Sequence, residues 1–236
     1  MQADATFWVV IPASGTGARF NHSLPKQYWS LAGKTILVHS LGRFLNKPWV
    51  NQVVVATAAA DQYFAKVCPT HPKLTQVVGG QTRSHSVMNA LRYIEQHGQS
   101  HDWVLVHDAV RPCLHEEDLQ ALLQLRYDPV GGILAAPVSD TLKKVSSSNQ
   151  INETVPREAL WAAQTPQMFR LHLLIEALCK AHEVGYSVTD ESSAVEALGY
   201  RPHIVPAQHP NPKLTYAADL SYIELLLAHN IEAVIE

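Results

Sequence analysis

Cysteine is scarce in this sequence of 236 residues: Cys68, Cys113 and Cys179 are the only three, they lie far apart, and no C-x-x-C pair occurs. An odd, scattered set supports neither a disulfide framework nor a thiolate zinc site, and it suits a reducing compartment. An excess of basic charge is missing too. The 18 Lys and Arg against 21 Asp and Glu leave a formal net charge of −3, where a general nucleic-acid binder needs a basic face. No apolar run approaches the ~18 residues of a membrane span. The opening residues, MQADATFWVV, lack the basic start and apolar stretch of a signal peptide. These absences predict a cytoplasmic protein that binds neither nucleic acid nor membrane. A small basic pocket for a phosphorylated ligand remains open, because a few local cations decide that. Internal repeats, low-complexity tracts and long linkers are also absent, so residues 1–236 read as one domain. There is no Ser–His–Asp signature and no G-x-S-x-G. His97 and His101 are four apart, but HGQSH contains a helix-ending glycine and reads as a surface loop rather than a zinc site.

What is present is alternation. The segments 7–12, 52–57, 74–78, 103–109 and 131–138 are short, rich in β-branched residues and apolar on both faces, as strands of a covered parallel sheet are. Between and after them, 35–45, 84–96, 116–126, 172–185 and 218–229 carry apolar residues at helical spacing, with Gly185 as a helix-ending glycine. That order predicts an α/β fold, a mostly parallel sheet flanked by helices. One segment breaks it. Residues 139–157 alternate polar and apolar on both sides of SSSNQ, a hairpin pattern with turn-forming residues at its tip. Its apolar content is too low to join a core, so it reads as an arm leaving the domain.

Three kinds of phosphate loop compete for PASGTGARF, residues 12–20. A dinucleotide fingerprint fails because Phe20 stands where the third glycine belongs and no acid follows at ribose distance. A Walker loop fails because GKT at 33–35 follows no strand and has Tyr28 where its first glycine belongs. The remaining pattern, P-A-[AS]-G-x-G-x-R-[MF] followed by P-K, fits, and it is the signature loop of sugar-phosphate nucleotidyltransferases. Glycine lets backbone N–H groups approach phosphate oxygens. Arg19 adds a forked cation and Lys26 a compact one. The competing reading is a strand–helix turn with incidental surface Arg and Lys.

In an open α/β sheet the ligand lies beyond the carboxyl ends of the strands, and polar residues crowd those ends here. Segment 74–78 runs into GGQTRSHSV with Arg83 and Ser86; segment 103–109 carries His107 and Asp108. By strand alternation His107 points away from Asp108. Asp108 alone could cap the next segment; beside a triphosphate loop it is a candidate ligand for Mg²⁺, which favours one or two carboxylates plus substrate phosphates.

Eight blocks in order, PASGTGARF, PKQY, GGQTRSHSV, VHDAVRPC, GGILAAPVSDTLK, TVPREALWAAQTPQMF, TDESSAVEALGY and NPKLT, make the chain resemble the 2-C-methyl-D-erythritol 4-phosphate cytidylyltransferases over nearly its whole length. The resemblance implies a Rossmann-like domain of nucleotidyltransferase type with a protruding β-hairpin arm. It also implies transfer of CMP from CTP to methylerythritol phosphate, with Mg²⁺ or another divalent cation, by a homodimer joined through the arm. Pro12, Ala13, Ser14, Gly15, Thr16 and Gly17 would hold CTP, and Arg19 and Lys26 would stabilise charge at its α-phosphate. Gly80, Gln81 and Ser86 would face the cytosine. Asp108 would hold Mg²⁺ and, with Ala109, contact substrate. Arg157 and Lys213 would position the acceptor phosphate, helped by Arg111, Thr141, Thr165 and Thr189. Ser14, Gln81, Val110 and Pro212 depart from the family's commonest residues. The alternatives are a ribitol-5-phosphate cytidylyltransferase and a catalytically silent nucleotide-binding module.

Overall fold

A computed structural model describes residues 5–15 and 24–232, with side chains to residue 229; Thr16, Gly17 and Arg19 lie outside the described residues. The chain opens with β1 (Phe7–Ala13), a one-turn 3₁₀ helix at Lys26–Tyr28, a small hairpin of β2 (Ser30–Leu31) and β3 (Lys34–Thr35), and α1 (Ile36–Gly42). Next come β4 (Val50–Thr57), α2 (Phe64–Val67), β5 (Leu74–Val78), α3 (Arg83–His97), β6 (Trp103–Val106) and α4 (Glu116–Leu123). The second half holds β7 (Gly131–Pro137), β8 (Leu142–Val145), β9 (Ile151–Val155), β10 (Trp161–Arg170), α5 (Leu171–Glu183), α6 (Glu191–Ala197), β11 (His203–Pro206) and α7 (Asp219–Glu232).

Seven strands form one sheet in the order β11-β7-β10-β6-β1-β4-β5. Six run the same way, and β10 runs against both its neighbours. Successive side chains of a strand face opposite sides. Along β1, Phe7, Val9 and Ile11 therefore enter one core with Leu37 and Leu41 of α1 and Leu119 and Leu122 of α4. Trp8 and Val10 enter the other, with Val87 and Leu91 of α3 and Leu174 and Leu178 of α5. Burial on both faces is why these strands are apolar throughout. A third cluster seats Ile223 and Leu227 of α7 against Ile36, Val110 and Leu214. Among the described residues, no helix is long and apolar enough to cross a membrane.

The mostly parallel sheet flanked by helices matches the expectation. So does the end of α5: Gly185 has φ +67°, and the N–H groups of Gly185 and Tyr186 donate to His182 and Ala181, a Schellman turn that glycine accommodates without strain. The arm is also present. β8 and β9 pair antiparallel over an exposed hairpin, with Asn149 at φ +59° in its tip and Leu142, Val145 and Ile151 exposed.

Two differences matter for the site. The strand expected over 103–109 stops at Val106; His107 N–H still donates to Val10 O of β1 at 2.9 Å, and Asp108 and Ala109 lie beyond the sheet. Residues 161–170, for which no strand was expected, form β10. Its pairing with β7 slips between Ala163 and Gln167, where Pro166 lacks a donor for the ladder, and that irregularity hides the strand's period in the sequence. α6 and β11 were likewise not expected.

Candidate active site

β1 is flanked by β4 on one side and β6 on the other, so the sheet changes winding direction there, and the crevice beyond such a point is where α/β sheets bind ligands. Because Gln167 of β10 pairs with Val106 of β6 in antiparallel register, Thr165 lies just beyond the end of β6, beside His107 and Asp108. Two pockets open at this edge. One, of about 330 Å³, is bounded by Pro12–Gly15, Lys26 and Gln27, Gln81–Arg83, Asp108–Val110 and Lys213. The other, of about 270 Å³, is bounded by Arg111, Gln164, Thr165, Gln167, Thr189 and Asp190 together with Arg83, Asp108 and Lys213. The last three residues are common to both.

The wall of the first pocket is held in shape from beneath. Buried Gln27 donates through its amide nitrogen to the carbonyls of Ala13 (2.7 Å) and Gly15 (3.2 Å), fixing the turn that follows β1. Ser86, fully buried, bonds Ser14 Oγ (2.6 Å), accepts from Gly80 N (3.0 Å) and donates to Thr82 O (2.9 Å) or Gly80 O. A Cβ on Gly79 would lie 2.9 Å from Ser14 Cβ and Ser86 Oγ, and one on Gly80 would overlap His85 Cβ. Only a Gly-Gly pair lets the two loops approach this closely. Gly80 and Ser86 thus shape the pocket from behind and do not line it; Gln81 and Thr82 do.

Asp108 is the electrostatic centre. One of its oxygens accepts from Arg83 Nε at 3.0 Å; the other faces Lys213 Nζ at 2.8 Å and Arg111 Nε at 3.6 Å. Burial alone would push this carboxyl up, but the charges of Arg83, Lys213 and Arg111 hold it well below the usual carboxylate range. In this arrangement both Asp108 oxygens face cations, so Asp108 could hold a divalent cation only once Lys213 turns away from it, and Glu191, the other carboxylate of the network, is paired with Arg83.

His107 does point away from Asp108. It is fully buried against Phe44 and meets Arg111 O at 2.9 Å and Thr165 Oγ1 at 3.1 Å. Thr165 Oγ1 also accepts from Asp108 N at 3.0 Å, so its hydroxyl proton turns to His107 Nδ1, and Nε2–H donates to Arg111 O. Every polar atom of a neutral imidazole is then satisfied, and burial pushes its pKa down to about 4. Asn211 donates through its side-chain nitrogen to Thr165 O at 2.8 Å and accepts on its backbone carbonyl from Arg111 at 2.6 Å, which anchors the segment carrying Lys213.

The structure thus gathers Pro12–Gly15, Lys26, Gln81, Asp108, Ala109, Arg111, Thr165, Thr189 and Lys213 at one edge. It does not bring Thr141 and Arg157 there. Both lie on the arm, line neither pocket, and Arg157 donates to Ser139 O at the hairpin's base. Four functional positions escaped the sequence reading of roles: Gln27, Arg83, Glu191 and Asn211. All lie inside the quoted blocks, but only Arg83, shortly after β5, carried the signal of a polar residue beyond a strand end. No cysteine lines either pocket. Burial pushes Cys68 up to about 12 and Cys113 up to about 11, leaving little thiolate.

The model of the family 2-C-methyl-D-erythritol 4-phosphate cytidylyltransferase matches residues 7–229. A protein of that name from Haemophilus ducreyi is 46% identical over 224 residues, covering 94% of this chain and 96% of the relative. The crystal structure of the Francisella tularensis protein of the same name superposes with a TM-score of 0.82 at 36% identity, covering 94% of this chain and all of that one. A crystal structure described as 4-diphosphocytidyl-2C-methyl-D-erythritol synthase gives 0.82 at 39% identity over 96% of this chain and 100% of its own.

Proposed function

The chain belongs to the 2-C-methyl-D-erythritol 4-phosphate cytidylyltransferase family, and we propose that its two adjoining pockets are where that reaction takes place. The enzyme transfers CMP from CTP to 2-C-methyl-D-erythritol 4-phosphate, giving 4-diphosphocytidyl-2-C-methyl-D-erythritol and pyrophosphate. The observation that carries the assignment is the seam: two pockets share Arg83, Asp108 and Lys213, as a donor and an acceptor phosphate that must meet would require. CTP takes the pocket floored by the glycine loop. The acceptor takes the pocket of Arg111, Thr165 and Thr189.

An acceptor phosphate oxygen attacks the α-phosphorus of CTP in line; the new P–O bond forms as the bond to pyrophosphate breaks. The nucleophile is an anion at neutral pH and needs no general base. The barrier is the approach of two anions, so positioning and electrostatic stabilisation dominate. Lys26, with Arg19, acts on the transferring and leaving phosphates. Lys213 draws the acceptor phosphate to the seam, where its ammonium exchanges the Asp108 carboxylate for the incoming anion. Asp108, once Lys213 has turned to the acceptor phosphate, and the triphosphate oxygens would hold a divalent cation such as Mg²⁺, which would supply neutralisation of charge on the transferring and leaving phosphates.

The arm supports a homodimer. An isolated two-stranded hairpin with exposed Leu142, Val145 and Ile151 is marginal in water and gains from a partner surface. In a symmetric dimer Thr141 and Arg157 of one subunit would complete the acceptor pocket of the other. The deciding experiment is pyrophosphate release with CTP, Mg²⁺ and methylerythritol phosphate, run beside ribitol 5-phosphate and beside ATP and GTP. Release confined to CTP with methylerythritol phosphate is expected; equal turnover with ribitol 5-phosphate or with ATP overturns the assignment.

A further inference from the structure

We propose that Glu191 is a positioning residue for the transfer: through Arg83 it fixes the Asp108 carboxylate, and with it Lys213, at the seam between the two pockets. The proposal rests on the seam being the place where the two phosphates meet.

Glu191 is fully buried, and its two oxygens accept from the two terminal nitrogens of Arg83 at 2.6 and 3.0 Å. A guanidinium is planar, with its donors in a rigid fork. Once its outer edge is clamped by Glu191, its Nε–H can point in only one direction, and that direction is Asp108 Oδ1 at 3.0 Å. Asp108 in turn holds Lys213 Nζ at 2.8 Å. Without the clamp, the long Arg83 stem would be free to swing into either pocket, since it borders both.

Glu191 itself is held on two sides. Asp190 caps α6 reciprocally with Ser193, and Gln167 of β10 donates to Asp190 (2.9 Å) and accepts from Ser192 N (2.9 Å). The sheet therefore sets the position of Glu191, Glu191 sets that of Arg83, and Arg83 sets that of Asp108. Glu191 borders neither pocket, so it acts on the substrates only through Arg83. A buried ion pair contributes uncertainly to stability once its desolvation is counted; its placement against the seam is accounted for by orientation.

The test compares the wild type with Glu191→Gln, Arg83→Lys and the double variant, by steady-state kinetics against each substrate and by thermal melting. Glu191→Gln keeps the shape and removes the charge of the clamp; Arg83→Lys keeps the charge and removes the fork. Each should lower kcat on the order of tenfold to a hundredfold, the scale of misplacing a reacting group, and raise KM for the acceptor, with KM for CTP changed less than about threefold. The double variant should be no worse than Arg83→Lys alone, because Glu191 works through Arg83. Should Glu191→Gln fail to fold, Glu191→Asp and Arg83→Lys carry the same comparison. A folded Glu191→Gln enzyme with a lower melting temperature and unchanged kcat overturns the proposal, as do losses that multiply in the double variant. A wild type that fails to transfer CMP overturns instead the assignment of the reaction.

Discussion

Lys26 Nζ donates to the carbonyl of Leu214 at 2.9 Å, tying a lysine just after the glycine loop to the residue next to Lys213. Leu214 is itself fully buried, and its N–H donates to Val110 O at 2.9 Å. The segment that presents Lys213 is thereby pinned to the loop after β6 and to the nucleotide side of the cleft at once. Two lysines far apart in the chain are held as one rigid pair of cations.

Replacing Lys26 by Ala should lower kcat by on the order of 10²–10³, the scale of losing one preorganised charge in a transition state. CTP affinity should change less. Because Lys26 also braces Leu214, KM for the acceptor should rise in the same variant. Initial rates measured against both substrates check this; an intact kcat with only CTP affinity lost would show that Lys26 merely binds.

Gln27→Ala should leave the carbonyls of Ala13 and Gly15 without the amide donor that now holds them. A buried acceptor that loses its partner costs about 1–3 kcal/mol, and the loop it shaped should bind CTP less well. Lower thermal stability together with a raised KM for CTP is the expected pair of results. A variant with wild-type KM would mean the loop keeps its shape unaided.

His107 should make stability depend on pH. Its folded pKa of about 4 lies below the ordinary value of 6.5, so the unfolded chain binds the extra proton in that window. The contribution is complete above pH 6.5 and is lost as pH falls toward 4, about 3 kcal/mol in all. Burial lowers His39, His115 and His182 in the same direction, so the test is a difference. Melting temperatures of the wild type and His107→Gln, measured from pH 7 down to pH 4.5, should converge as pH falls. Parallel curves would remove His107 as the source.

Co-expression should reveal whether the arm serves the other subunit. Arg157→Ala and Lys26→Ala are each expected to be inactive alone. In a mixed dimer with crossed arms, one site has an intact body and an intact arm, and the opposite site carries both lesions. Random pairing makes about half the dimers mixed, so about a quarter of wild-type activity should return. No recovery on mixing would mean that each arm completes its own subunit's pocket.

The sequence by itself determined whatever depends on near neighbours along the chain. A strand buried on both faces must be apolar at every position, so β1 was legible. A left-handed helix end calls for glycine, so Gly185 closed α5. A hairpin tip needs residues that tolerate a tight turn, so SSSNQ marked the arm. Phosphate-binding loops need glycine for close approach, so the floor of the first pocket stood out. The tertiary structure alone decided which residues meet. Asp108 is flanked by Arg83, Arg111 and Lys213, which come from α3, the loop after β6 and the segment before α7, and Glu191 reaches Arg83 across 108 positions. No local period records such encounters, because ion pairs form by distance in space and every one of these side chains would be equally at home on a solvated surface. β10 was hidden for a related reason: its pairing slips at Pro166, and only the partners on either side reveal that it is a strand. The surroundings of Asp108 were hidden on the same ground, since the three cations that face it are brought there only by folding.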